Sequence, residues 1–205
     1  MFYNIDENWI KILESKHQVI KSELKNYINK KGYNDLKSFY SGYSSNNGWL
    51  TIPLIFFTIH NTELLDCFPE TKKILKSIPE LITAEFSILK SNTVIQAHEG
   101  YSKEIMRTHL GLKIPDGNLA LKCMNQEMQW EEGKTFSFND GYMHEAWNKT
   151  ENERWVLMID TPIPNSNYTA KQISEYKINN LSDKTLLTIA PKETWIKWFN
   201  ETNNI

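Results

Sequence analysis

Between Ile82 and Asp160 the chain is cut into short runs of β-branched and aromatic residues separated by turn-type sequences, and this texture restricts the fold more than any other feature. The runs cover 85–89, 93–97, 105–113, 119–124, 135–138, 142–147 and 154–160. Pro115-Asp116-Gly117-Asn118, Glu132-Gly133-Lys134 and Asn139-Asp140-Gly141 break them where backbone must reverse. Seven short strands at this spacing predict an all-β sandwich or barrel.

The flanks read differently. From Asp6 to about Lys30, Trp9, Leu13, Ile20, Leu24 and Ile28 recur near helical spacing. Lys30-Lys31-Gly32 gives that helix a basic last turn and a glycine stop. Residues 41–48 are loop-like by composition, a strand is expected over 50–59, and Pro53 inside it marks an edge or a bulge. Short helices are expected over 69–77, 170–178 and 192–200. The whole is one domain: N-terminal helices and a leading strand over 1–80, a β core with the active site over 81–163, and a helical extension over 164–205. With 40% apolar and 12% aromatic residues, the 205-residue chain has enough material for a core.

Charge and cysteine content exclude several classes. Lysine plus arginine number 23 against 25 acidic residues, a net charge of −2, which argues against nucleic-acid binding through phosphate neutralisation. Two cysteines, Cys67 and Cys123, make no disulfide framework and point to a reducing compartment. No apolar stretch reaches the roughly 20 residues that span a bilayer, and no secretory leader is legible. The expectation is a cytoplasmic protein with a small-molecule or peptide substrate and no membrane partner; oligomeric state is not legible.

Three of the five histidines, His98, His109 and His144, fall in the β region. His98 and His144 stand on separate strands, where inward imidazoles suit Fe, Zn, Cu or Ni. A non-haem Fe(II) triad normally adds a carboxylate two residues after the first histidine; here that position is Gly100. Glu99 should face away from His98 by strand alternation. Arg107 and His109 share one strand face, fit for holding a carboxylate. Arg154 either faces inward and needs an anionic partner, or pairs at the surface with Glu151 or Glu153.

The motifs Phe86-Ser87, His98-Glu99-Gly100, Arg107-Thr108-His109-Leu110-Gly111-Leu112, Trp130 to Lys134, Phe138-Asn139-Asp140, His144-Glu145-Ala146-Trp147-Asn148 and Arg154 together resemble the aspartyl/asparaginyl β-hydroxylase family. Their order and spacing run from about Cys67 to Asp160. The sequence departs from the family at Asn139, where an aspartate is usual. The resemblance implies a double-stranded β-helix, a jelly-roll or cupin-like barrel with flanking helices. It implies Fe(II) on His98 and His144, with water in place of the usual carboxylate ligand. It further implies that Arg107 and His109 hold the metal-side carboxylate of 2-oxoglutarate, and Ser87 and Arg154 the distal one.

The implied activity is hydroxylation of an unactivated C–H of an amino acid, an Asp- or Asn-type residue or a small polar metabolite, consuming O2 and 2-oxoglutarate and releasing succinate and CO2. Glu145 and Asp140 are candidates for orienting the imidazoles, against the commoner place for such carboxylates as solvated turn residues. Two alternatives stand beside it: a halogenase using the vacated carboxylate position, and a non-catalytic small-anion-binding barrel. The absence of an anchor weighs against the lipid-modifying branch of such enzymes.

Overall fold

The computed structural model describes residues 1–33, 36 and 41–203. Strands β1 (Phe2–Tyr3), β2 (Trp49–Phe56), β3 (Ile59–His60), β4 (Thr83–Leu89), β5 (Thr93–His98), β6 (Ile105–Lys113), β7 (Leu119–Cys123), β8 (Gln126–Met128), β9 (Thr135–Asn139), β10 (His144–Asn148) and β11 (Arg154–Pro162) form two antiparallel sheets. The larger has the order β1-β9-β6-β11-β4-β2-β3, the smaller β5-β10-β7-β8. From β4 to β11 the chain alternates between the sheets, interrupted only by the β7–β8 hairpin, which makes the architecture the expected double-stranded β-helix.

Alternation sorts the side chains into layers. On β11, Val156 and Met158 join Ile95, Leu121, Phe138 and Ala146 between the sheets. Trp155, Leu157 and Ile159 face the other way, against helix α1 (Asn8–Lys31). That helix presents Leu13, Ile20 and Leu24, each fully buried and contributing on the order of 2 kcal/mol. Its end is the expected one: Lys30 and Lys31 lie in the last turn, and Gly32 takes φ 77°, the left-handed region that glycine enters without strain.

The leading strand belongs to the barrel, since β2 pairs with β4 along its length. Pro53 sits at a register shift between Pro53 and Ile55, the bulge its missing N–H demands. The expected strand over 50–59 is two strands, because Phe57 and Thr58 adopt positive φ and reverse the chain into β3. Helices α2 (Thr62–Asp66) and α3 (Pro69–Leu75) follow, α3 with proline in its first turn. Helices α4 (Ala170–Asn179), α5 (Lys184–Ile189) and α6 (Lys192–Asn203) close one end of the barrel; Ile173, Leu186, Trp195 and Phe199 pack there with Phe57 and Ile105. Among the described residues no helix is long and apolar enough to cross a membrane. Cys67 and Cys123 are both free thiols.

Candidate active site

The smaller sheet supplies two imidazoles. His144 opens β10 and His98 closes β5, and antiparallel pairing sets them directly opposite each other. Their ring centroids are 4.3 Å apart. The Nδ1 of His98 lies 2.7 Å from the carbonyl oxygen of Gln96, and the Nδ1 of His144 lies 2.8 Å from that of Tyr142. A carbonyl only accepts, so each Nδ1 carries the proton and each Nε2 keeps its lone pair. Burial holds both rings neutral, lowering His98 and taking His144 down to about 4. Two neutral, oriented imidazoles with free Nε2 lone pairs are metal donors.

The orienting groups are therefore the backbone carbonyls of Gln96 and Tyr142, not the candidate carboxylates Glu145 and Asp140. Glu145 turns outward to within 3.5 Å of Lys122, as alternation along β10 requires. Asp140 is fully buried, takes the backbone N–H of Tyr101 at 2.8 Å, and fills the space beside Gly100. Glu99 is exposed, as alternation predicts. Among the described residues no group of three or more His, Cys, Asp or Glu is placed to hold a metal ion. That leaves the histidine pair as the candidate donor set.

The larger sheet supplies the cations, and its two arginines differ. Arg107 on β6 lies opposite Asp160 on β11, and its guanidinium forks onto that carboxylate through Nε and Nη2, both at 2.8 Å. Its Nη1 stands 2.7 Å from Asp140. Burial works against this charge, but Asp140 and Asp160 overcome it and hold Arg107 above its ordinary value. Arg154 has no such partner. It is 1% exposed, its Nε and Nη1 make no hydrogen bond, and burial pulls its pKa down to about 9. Its guanidinium rests 4.7 Å from the centre of the Trp130 ring. The surface alternative is excluded: Glu153 pairs with Lys113 at 2.8 Å.

Around Arg154 other polar groups are aimed but unspent. The indole N–H of Trp130 donates to His109 Nδ1 at 3.1 Å, which fixes the tautomer and leaves the buried Nε2–H of His109 without a partner. Trp49 donates its indole N–H to Ser87 Oγ at 3.0 Å, so the Ser87 hydroxyl proton is available to a ligand. Ser87, His109, Arg154, Arg107, His98 and His144 all border one inner cavity of about 20 Å3, room for a water molecule. A dicarboxylate held there requires lining side chains to move apart. Trp49, His98 and Arg107 also border an outer cavity of about 130 Å3. An unpaired buried guanidinium costs free energy unless an anion meets it, so the residues present fit a carboxylate ligand beside a histidine-bound metal.

Several residues of the site were not singled out by sequence reasoning. Glu85 borders the outer cavity, is 3% exposed, and burial raises its carboxyl to about 8. Its signal was a lone carboxylate on a strand whose other residues suit a core. Asp160, inside another apolar strand, gave the same signal. Asp183 from the start of α5 also borders the outer cavity, and Lys177 of α4, lowered by burial, lies within electrostatic reach of Asp140. Asn139 is structural: its amide donates to Tyr3 Oη at 3.0 Å and to the carbonyl of Lys103 at 2.9 Å, the latter a bond an aspartate could not make.

The family profile described as Aspartyl/Asparaginyl beta-hydroxylase matches residues 14–164. The chain is 33% identical over 158 residues to the ornithine lipid ester-linked acyl 2-hydroxylase of Rhizobium tropici, covering 74% of this chain and 56% of that protein. It is 32% identical over 97 residues to the aspartyl/asparaginyl beta-hydroxylase of Homo sapiens, covering 45% of this chain and 13% of that protein. Over 117 residues it is 32% identical to aspartate beta-hydroxylase domain-containing protein 2 of Homo sapiens, covering 53% of this chain and 31% of that protein. The chain thus spans about half or less of the length of these relatives.

Proposed function

The chain belongs to the aspartyl/asparaginyl β-hydroxylase family, and from that membership we propose that it is an Fe(II)- and 2-oxoglutarate-dependent oxygenase that hydroxylates an unactivated C–H bond. The observation that carries this reading is the facing pair His98 and His144, both with Nε2 free, next to the unpartnered Arg154 guanidinium.

His98 and His144 hold the metal, each ring kept in register by its Nδ1–H bond to a backbone carbonyl. Arg154 and the Ser87 hydroxyl take the distal carboxylate of 2-oxoglutarate, and the Nε2–H of His109 points to the metal-side one. Arg107 joins His109 by releasing Asp140 while keeping its fork on Asp160. Trp49, Trp130, Leu121 and Phe138 wall the inner cavity and keep bulk water from it. When bound, Fe(II) and 2-oxoglutarate supply the oxidising power for hydroxylation, with O2 consumed and succinate and CO2 released. The substrate enters through the outer cavity.

Halogenation is disfavoured by the position of Asp140. The space a side chain at residue 100 would take holds its carboxylate, a poor neighbour for chloride. The non-catalytic barrel accounts for Arg154 but leaves two oriented imidazoles without use.

The test is succinate release from purified protein with Fe(II), 2-oxoglutarate and candidate substrates. Release that depends on both additions and is abolished in His98→Ala and His144→Ala supports the assignment; undiminished release in both variants rejects it.

A further inference from the structure

Arg154 has a counterpart of opposite sign. Glu85 is buried as well, and among the described residues no hydrogen bond or ion pair reaches its carboxyl. Alternation along β4 sets it on the same inward face as Ser87, two positions earlier in the strand. There it borders both the outer cavity of about 130 Å3 over His98 and a larger one of about 540 Å3 between β2–β3 and helices α5 and α6. One unpartnered acid thus stands where the two spaces meet. Their other walls agree with it in charge. Glu99 and Asp183 border the outer cavity, and Glu63 and Glu201 the larger one. Among the described residues Arg107 is the one lysine or arginine on either wall, and Asp140 and Asp160 already engage it. Tyr43 and Trp49 on one side, with Trp195 and Trp198 on the other, add aromatic rings, whose faces attract cations.

We propose that Glu85 anchors a positively charged nitrogen of the substrate, an ammonium or guanidinium group at the junction of the two cavities, so that the molecule oxidised in the iron pocket is an organic cation. The proposal rests on the hydroxylase reading of that pocket and deepens it by naming the substrate class. A buried carboxylate with no partner is costly, and burial accordingly raises Glu85 to about 8 in the empty site. A cation that donates hydrogen bonds removes the cost, because it supplies charge and donors together. The counter-ion is organic: among the described residues no group of three or more His, Cys, Asp or Glu is placed to hold a metal ion. The charge also lies near the reacting carbon. Glu85 and His98 border the same outer cavity, whose volume is only about four times a water molecule's share of the liquid, so few substrate atoms fit between them. The larger cavity receives the rest of the molecule.

The experiment follows the tryptophan fluorescence of the purified full chain as butylammonium or butylguanidinium is added, with no iron or 2-oxoglutarate. It is run at about pH 8.5, above the value to which burial raises Glu85. Trp49, Trp195 and Trp198 border the two cavities and report occupancy. Wild type should bind both cations and ignore N-butylacetamide, which has the same apolar stem and no charge. Glu85→Gln should weaken cation binding about tenfold or more. Glu201→Gln removes an exposed carboxylate that lies 3.7 Å from Lys197, and its affinity should stay within about twofold of wild type. No binding of the cations by wild type, an equal response to the amide, wild-type affinity in Glu85→Gln, or an equal loss in Glu201→Gln would overturn the anchor. So would displacement of butylammonium by Mg2+ at equal concentration, since the counter-ion would then be a metal. The amide comparison uses wild type alone and stands whether or not Glu85→Gln folds. The two readings fail separately: cation binding that needs Glu85 persists if succinate release fails, and succinate release by a chain indifferent to cations removes the anchor alone.

Discussion

Asp140 places its carboxylate in the volume that a Cβ on Gly100 would occupy. The two are tied through the backbone as well, the N–H of Gly100 donating to the Asp140 carbonyl at 2.8 Å. Asp140 cannot swing aside cheaply, because Tyr101 N–H and Arg107 hold its side chain. An acidic side chain at position 100 therefore has no room here. Gly100→Asp should destabilise the protein by on the order of 3 kcal/mol, through overpacking and a second buried carboxylate. Adding Asp140→Gly should recover most of that loss, as read from denaturant midpoints; an unperturbed Gly100→Asp single variant would refute the steric argument.

Arg154 gives function and stability opposite signs. Its guanidinium is buried without an anionic partner, so Arg154→Met should stabilise the ligand-free protein by about 1–3 kcal/mol. The same change should weaken 2-oxoglutarate about 100-fold, roughly 2.7 kcal/mol. Thermal unfolding reads both: 2-oxoglutarate should raise the wild-type Tm and leave the variant's unmoved. A variant less stable than wild type and still shifted by 2-oxoglutarate would contradict this.

Trp130 acts through His109. Trp130→Phe keeps an aromatic face against Arg154 and removes the N–H that fixes the His109 tautomer. The expected outcome is a loss of 2-oxoglutarate affinity of about tenfold, close to one neutral hydrogen bond, with Fe(II) affinity unchanged. Calorimetric titration of each ligand separates the two, and a fall in Fe(II) affinity instead would assign Trp130 to the metal side.

Glu85 sets a pH dependence. Burial raises its carboxyl to about 8, so the folded chain keeps a proton that the unfolded chain releases above about pH 4.3. Stability from this group is fully present below that lower value and declines as pH rises towards 8. Asp160, also raised by burial, contributes a slope of the same sign. Urea midpoints measured from pH 5 to 8 should fall for wild type and fall less for Glu85→Gln. Parallel lines for the two proteins would show that Glu85 does not carry the proton.

The fold was legible where side chains repeat with a period long enough to count. Strand β6 runs over the nine residues that alternation predicts, and α1 and α4 fall within two residues of their expected starts. Strands of two or three residues, β1, β3 and β8, carry no measurable period, and α5 has only six residues. In the site, His98 and His144 were legible as ligand types, and their facing arrangement is a consequence of β5–β10 pairing. The fork of Arg107 onto Asp160 was not legible, because the two are 53 residues apart and meet only through the β6–β11 register. Arg154 was legible as a choice between surface and interior, which burial then decided in favour of the interior.

The short strands that escaped detection have a consequence of their own. The larger sheet ends in β1 and β3, each two residues long, and the smaller sheet ends on one side in β8, three exposed residues with Glu127 at their centre. On its other side β5 is partly covered where Ser44 bridges to Ile95. Among the described residues, three of the four sheet edges are thus only two or three residues long, and the fourth, six-residue β5, is partly covered. A barrel with this much β-branched and aromatic sequence thus leaves little edge on which another chain could add a strand, chiefly because three of its terminal strands are so brief.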